Sequence, residues 1–221
     1  MRTITVSGTG EVFVKPDRIQ LSMSLEAMNP DYEAVMQEMN GKLAALQKAC
    51  VQCRFKKDEL KTESLQIRTE YEGVRDEHGD YRQEFKGYAG SQSLSLEMPL
   101  DMARLAKVLA AVGKTGAKPV LSIRFTAVDT EDARKALLKQ MADNARRKAE
   151  GLAEASGVKV GDLVSIDTQW QNYHLVSETS YDLAEESAVA RPMLAMGKMA
   201  QATPKDIRVS DTARFVWELL S

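Results

Sequence analysis

The chain has 221 residues, of which 43% are hydrophobic and 28% are charged. That length and composition fit a folded protein with a sizeable core and argue against a coiled rod or a disordered tail. Its 30 Lys and Arg residues balance 32 Asp and Glu residues, so the formal charge of −2 argues against a nucleic-acid binder, whose affinity needs an excess of cations.

The N-terminus alternates apolar and polar residues and does not offer the apolar run of a secretory signal. Nowhere do about eighteen apolar residues follow one another, so no membrane-spanning helix is predicted. We therefore predict a soluble, cytoplasmic protein for the chain as given, and a periplasmic one if Met1 replaces a removed leader.

Two strands are predicted at the start of the chain. The first runs between Ile4 and Val14, with Gly8 and Gly10 interpreted as a break in it, and the second covers residues 19–27, where apolar side chains alternate strictly with polar ones. Alternation of this kind is typical of an antiparallel sheet with one face on a core.

Three amphipathic helices are predicted from apolar residues spaced three and four apart. They cover residues 29–53, 101–112 and 130–156. Asn29 and Asp129 have short polar side chains that can accept a hydrogen bond from the first turn, so they are predicted as N-caps.

Alternating patterns predict further strands between and after the helices, over residues 65–71, 88–98, 121–127, 163–168 and 207–219. Residues 73–80 are predicted as the loop of a hairpin. Bulky residues occupy odd positions over 81–85 and even positions after Gly87, which indicates a β-bulge at that glycine. The long alternation of 207–219 could present a strand edge to a partner copy.

The predicted order is β-β-α-β-β-α-β-α-β-β. This order is typical of an α+β fold, with three amphipathic helices packed on a mainly antiparallel sheet. We predict a single domain over residues 1–221, interrupted by an irregular or partly helical insertion at about 171–206. Loops of that length are usually functional, mobile or assembly elements.

Cys50 and Cys53 have the CxxC spacing of redox proteins and could form a disulfide or share a soft metal. They lie at the end of a predicted helix, on the same apolar face as Leu46, whereas a redox CxxC begins a helix. Buried small side chains are therefore the favoured interpretation. A thiol-handling or metal-handling redox protein using Cys50 and Cys53 is the alternative.

The tripeptide Gly113-Lys114-Thr115 is similar to the end of a phosphate-binding loop. Val108 stands where that loop needs its first glycine, and the tripeptide follows a predicted helix where the loop would precede one. No pair of carboxylates stands out at a strand end or in an apolar segment either, so no general acid or base is predicted.

The remaining side chains with metal-binding chemistry also have structural interpretations. His78 and His174 are the only histidines, and neither has a second ligand at helical spacing. Met193, Met196 and Met199 step by three and could serve Cu(I), but they are interpreted as one turn of a packed helix. We predict no catalytic, cofactor-binding or metal-binding residue, and no cofactor.

Three segments together resemble the SIMPL-domain family, bacterial proteins of the oxidative-stress defence and periplasmic immunogenic type. The segments are residues 4–17, 87–96 and 145–161. The closing strand at 207–210 is also similar, although Pro204-Lys205-Asp206 stands where the family usually has Pro-Gly-Glu.

The resemblance implies no catalytic residue, because the family has none established. It implies a link to oxidative stress and assembly into homo-oligomers, and most members carry a secretion signal. We therefore predict a non-enzymatic, self-assembling protein of the stress response or cell envelope. A further alternative is a small-molecule or peptide binding module that uses residues 171–206 as a lid.

Overall fold

The computed structural model of the chain describes residues 2–75, 81–128, 131–168, 175–183 and 203–221. These residues contain eight strands and three helices, and the α+β class is confirmed. The strands are β1 (Thr3–Val14), β2 (Arg18–Asn29), β3 (Leu60–Arg75), β4 (Tyr81–Pro99), β5 (Val120–Thr126), β6 (Lys159–Asp167), β7 (Val176–Leu183) and β8 (Ile207–Leu220). The helices are α1 (Tyr32–Gln52), α2 (Met102–Gly113) and α3 (Glu131–Ala155).

The strands form two antiparallel sheets. One has the strand order β1-β8-β6 and the other the order β3-β4-β2-β5-β7. The chain divides into two compact units. The small unit consists of Met1–Asp17, Thr126–Glu178 and Pro204–Ser221, and the large unit consists of Arg18–Phe125 and Thr179–Thr203.

The core of the large unit lies between α1, α2 and one face of its sheet. Ile19 of β2 faces Met98 of β4, and both side chains are buried, as the strict alternation of β2 predicts. Each such side chain contributes about 1.5–3 kcal/mol by leaving water. Gly90 of β4 lets α1 lie close to the sheet, because a Cβ there would be 2.8 Å from Cγ1 of Val35.

In the small unit α3 packs on its three-stranded sheet, and two glycines make room for it. A Cβ on Gly10 would lie 2.6 Å from the carbonyl oxygen of Leu137, and one on Gly8 would overlap the carbonyl oxygen of Met141. β1 continues through both glycines and pairs with β8 along its whole length. The interpretation of these glycines as a strand break is therefore wrong, because they serve the close approach of a helix.

The prediction that residues 207–219 present an edge to a partner copy is also wrong. β8 is the middle strand of its sheet and pairs with β1 on one side and β6 on the other. Its alternation reflects burial instead. Phe215 and Trp217 are both buried, with their rings stacked at a centroid distance of 5.4 Å.

All three predicted helices are present, but the cap of the first differs. Asp31 is the N-cap of α1, and its carboxylate accepts a hydrogen bond of 3.0 Å from the backbone N–H of Glu33. Asn29 instead accepts from the backbone N–H of Asp31. Gly157, with a φ of 71°, follows the end of α3. Asp129, the predicted cap of α3, lies outside the described residues.

The element order differs from the predicted one by β7, a strand inside the insertion predicted at 171–206. Ser177 of β7 is buried, and its hydroxyl donates to the carbonyl of Lys205 at 2.7 Å. The single domain over residues 1–221 stays a prediction. In the parts of the chain given above, no helix is both long and apolar enough to span a bilayer.

Candidate interaction surface

The hairpin of β3 and β4 extends beyond the rest of its sheet. β2 pairs with β4 only as far as Asn29, which faces Tyr88, whereas β3 and β4 continue until Arg75 faces Tyr81. Residues 70–75 and 81–87 therefore form a two-stranded ribbon, which we call the arm. At about 3.3 Å per residue, the arm is about 20 Å long.

A β-bulge lies at the base of the arm, as the phase change at Gly87 predicts. Tyr71 faces Phe85 while the residue before it faces Gly87, so Lys86 is an extra residue in β4. Gly87 has a φ of 151°, and a Cβ there would lie 2.7 Å from the carbonyl oxygen of Asn29. Only glycine fits this position, and the bulge increases the local twist of the strand pair.

Four aromatic rings line one face of the arm and its base. Tyr32 of α1 contacts Tyr88 at a centroid distance of 5.6 Å, Tyr88 contacts Phe85 at 5.3 Å, and Phe85 contacts Tyr71 at 6.0 Å. All three contacts are edge-to-face, the geometry that aromatic pairs prefer. This aromatic row ends on the arm, where Tyr71 is 54% exposed and Phe85 is 48% exposed.

The opposite face of this hairpin carries charges. Nε of Arg68 lies 2.5 Å from a carboxylate oxygen of Glu70, and Nζ of Lys86 lies 3.7 Å from one of Glu72. Exposed pairs of this kind contribute only about 0–1 kcal/mol each. The arm therefore offers an apolar face, a charged face and a strand edge, which together suit contact with another protein.

The predicted thiol pair lies elsewhere, at the C-terminal end of α1. Cys50 is buried in the core beside Leu46, and Sγ of Cys53 is 3.7 Å from the carbonyl oxygen of Lys107. Both cysteines are free. Burial, and to a smaller extent the neighbouring Cys53, raises the pKa of Cys50 from its ordinary value of 9.0 to about 11. Burial also raises the pKa of Cys53, although Arg104 and Lys107 act to lower it.

An open cavity of about 550 Å³ lies beside Cys53 and is lined by Arg54, Arg104 and Lys107. Cations near a thiol favour the reactive thiolate. Desolvation outweighs them here, because the pKa of Cys53 is raised. At neutral pH both cysteines are therefore thiols, which are poor nucleophiles and poor metal ligands.

The raised pKa of Cys50 predicts a loss of stability at alkaline pH. Between the ordinary value of 9.0 and about 11 the unfolded chain releases the thiol proton while the folded chain keeps it. The free energy of unfolding should therefore fall by about 2–3 kcal/mol across this window. Urea denaturation on both sides of the window measures it. In Cys50→Ala this fall in the free energy of unfolding should vanish. An unchanged fall in that variant would show that the Cys50 thiol does not cause it.

Gly113, Lys114 and Thr115 form the C-terminal end of α2. The backbone N–H of Lys114 donates to the carbonyl of Ala111 at 3.3 Å, and the hydroxyl of Thr115 donates to the carbonyl of Val112 at 2.6 Å. These donors bond the last carbonyls of the helix. A phosphate-binding loop instead presents its N–H groups at the start of a helix, where the helix dipole favours an anion.

In the residues that the structure describes, no three or more His, Cys, Asp or Glu side chains are grouped so that they could hold a metal ion. Several residues considered for this chemistry lie outside that part of the chain, namely His78, His174, Met193, Met196 and Met199. The arm was not singled out from the sequence. The sequence feature that indicates the arm is the set of bulky residues at odd positions over 81–85.

The geometry defines an α+β protein of two antiparallel sheets with a projecting aromatic ribbon. Its sequence matches the SIMPL family, described as a protein of unknown function (DUF541), over residues 4–217. The chain therefore belongs to the SIMPL family, as the resemblance in its strands and third helix predicts.

No curated protein matches the chain. Among solved structures, the regulatory subunit of aspartate kinase from Thermus flavus is similar at 10% identity, over 88% of this chain and 99% of that one. The TM-score of this comparison is 0.19. A similarity at that score carries no argument about fold or function.

Proposed function

We propose that this protein is a non-enzymatic, self-assembling member of the SIMPL family whose copies contact one another through the arm. The exposed end of the aromatic row is the observation that carries this proposal. Isolated two-stranded ribbons are marginally stable in water. Aromatic side chains also contribute more than most others to protein interfaces. A second copy that covers Tyr71 and Phe85 would bury their exposed surface.

The first test removes the aromatic rings of the arm. The double variant Tyr71→Ser/Phe85→Ser should weaken self-association by about 500–1,000-fold, because each of the two rings at the centre of an interface contributes about 2 kcal/mol. Analytical ultracentrifugation over a dilution series measures the change. Thermal melting establishes that the variant still folds.

Phe13→Ser is the matched control, since Phe13 is a 62% exposed aromatic residue on β1 in the small unit. This variant should associate like the wild type. A wild-type protein that stays monomeric at every concentration would refute self-assembly, and equal losses in both variants would refute the role of the arm.

The biological part of the proposal is a role in the stress response or at the cell envelope. It is supported by the family resemblance, which implies resistance to oxidative stress. In a strain that lacks the gene, we expect the wild type and Phe13→Ser to restore survival after peroxide exposure, and Tyr71→Ser/Phe85→Ser to fail. Full rescue by the double variant would separate the stress role from assembly.

The sequence leaves two alternative functions open. A redox or metal function of Cys50 and Cys53 is opposed by burial, which raises the pKa of both thiols. A small-molecule or peptide binding module with residues 171–206 as its lid stays a prediction. Thermal-shift screening with metabolites tests that alternative.

A further inference from the structure

β3 carries an open edge of regular geometry. It is the end strand of its sheet, so no strand in the described part of the chain pairs with its outer side. From Ser64 to Arg75 each successive residue faces a residue of β4, and the extra residue of the bulge, Lys86, lies in β4. The backbone N–H and C=O groups on this edge of β3 are therefore spaced to pair with another strand.

We propose that this edge pairs antiparallel with the same edge of a second copy, and that the two Thr69 residues face each other across a two-fold axis. The inference rests on the self-assembly proposed above, and it names the strand and the register of one contact. Pairing of this kind joins the two five-stranded sheets into one continuous sheet.

Charge complementarity selects this register. With Thr69 on the axis, Arg68 of each copy faces Glu70 of the other, so two opposite-charge pairs form across the interface. Arg68 and Glu70 are already paired within one chain, and the four side chains complete one network. Moving the axis to Arg68 sets two arginines against each other, and moving it to Glu70 sets two glutamates against each other. Like charges directly opposite are destabilising.

The same register also matches the apolar faces. Directly opposite residues share a face of the sheet. Ile67 of each copy then faces Tyr71 of the other, and Leu65 faces Gly73. Leu65 is 50% exposed and Tyr71 is 54% exposed in one copy. A change of the pairing by a single residue, which would place the axis between two residues, would instead bring the charged face of one copy beside the apolar face of the other.

A charge exchange tests the register. Arg68→Glu alone and Glu70→Arg alone each create two like-charge pairs, and each should weaken self-association by about tenfold. The double variant Arg68→Glu/Glu70→Arg restores both pairs and should recover association close to the wild-type level. Glu84→Lys is the control, because Glu84 lies on the charged face of the arm but on β4, away from the proposed edge.

Cross-linking gives a second, independent readout. Facing residues in antiparallel strands have Cα atoms about 4.5–5.5 Å apart, within the range that a disulfide bridges. In a Cys53→Ser background, Thr69→Cys should therefore form a disulfide-linked dimer under mild oxidation. Val74→Cys, on the same strand but five residues from the axis, should remain monomeric on a non-reducing gel.

The outcomes separate this inference from the proposed function. A wild-type protein that is monomeric at every concentration overturns both. A self-associating wild type in which Thr69→Cys does not cross-link, or in which the double charge exchange stays as weak as the single variants, overturns the β3 register and leaves self-assembly standing. Equal weakening by Glu84→Lys would also overturn the register.

Discussion

Replacing Gly8 by alanine is expected to destabilise the small unit by about 3 kcal/mol or more. The new Cβ would overlap the backbone carbonyl oxygen of Met141 and lie 2.7 Å from Cβ of Ala145. Both atoms belong to the body of α3, so relief requires moving a whole helix away from its sheet. Circular dichroism during urea denaturation measures the loss.

Gly151→Ala is the matched control, because Gly151 lies within α3 itself and a Cβ there meets nothing within 4 Å. Alanine has a higher helix propensity than glycine, so this variant should gain about 0.5–1 kcal/mol. A Gly8→Ala protein as stable as the wild type would show that α3 does not need the close approach described above.

Phe125→Ala is expected to remove about 3–5 kcal/mol from the large unit. Phe125 is among its largest fully buried side chains, and its ring packs edge-to-face with the ring of Tyr181 at a centroid distance of 6.1 Å. Val120→Ala on the same strand is the control, since Val120 is 43% exposed and should lose far less. Equal losses in the two variants would contradict the core described for this unit.

Scanning calorimetry of Gly8→Ala and Phe125→Ala also tests the predicted single domain. A single cooperative domain melts in one transition, which both variants would shift. Two independent units would melt in two transitions, and each variant would shift only one of them. The second result would replace the single-domain prediction.

Most of the fold that could be predicted follows from patterns among residues that are close together in the sequence. The strict alternation over residues 19–27 defines β2 because every second side chain is buried between the sheet and the helices. The phase change around Gly87 locates the bulge because one extra residue reverses the face of all that follow. These signals lie within a few neighbouring residues, so sequence alone contains them.

β7 was missed because a polar side chain occupies an inward position where the alternation of a strand would place an apolar one. Ser177 is buried through a hydrogen bond to the backbone of Lys205, a contact between residues far apart in the sequence. The prediction that residues 207–219 form an edge strand was wrong for a related reason. Alternation shows which face of a strand is buried, but it does not show which strands lie on either side. The neighbours of β8 are β1 and β6, which are both distant from it in the sequence.

The arm could be predicted only in part. Its hairpin, its bulge and its bulky residues at odd positions are visible in the sequence. Their exposure depends on β2, which ends at Asn29 while the partner strands continue. β2 ends there because α1 begins at its cap, Asp31. The bulky residues of the arm alternate as they would in a buried strand, but the difference in strand length leaves them exposed.

The pairing of β1 with β8 has a consequence for synthesis on the ribosome. Thr3 faces Glu218, so β1 is translated long before the strand with which it pairs. Residues 18–125 of the large unit emerge as one uninterrupted stretch, about 80 residues before β8 begins. At about 5–20 residues per second, the roughly 190 residues between the end of β1 and the start of β8 take about 10–40 seconds to translate, and β1 lacks its partner strand for that time. During this interval Val6 and Val12, which the finished sheet buries, are open to chaperones.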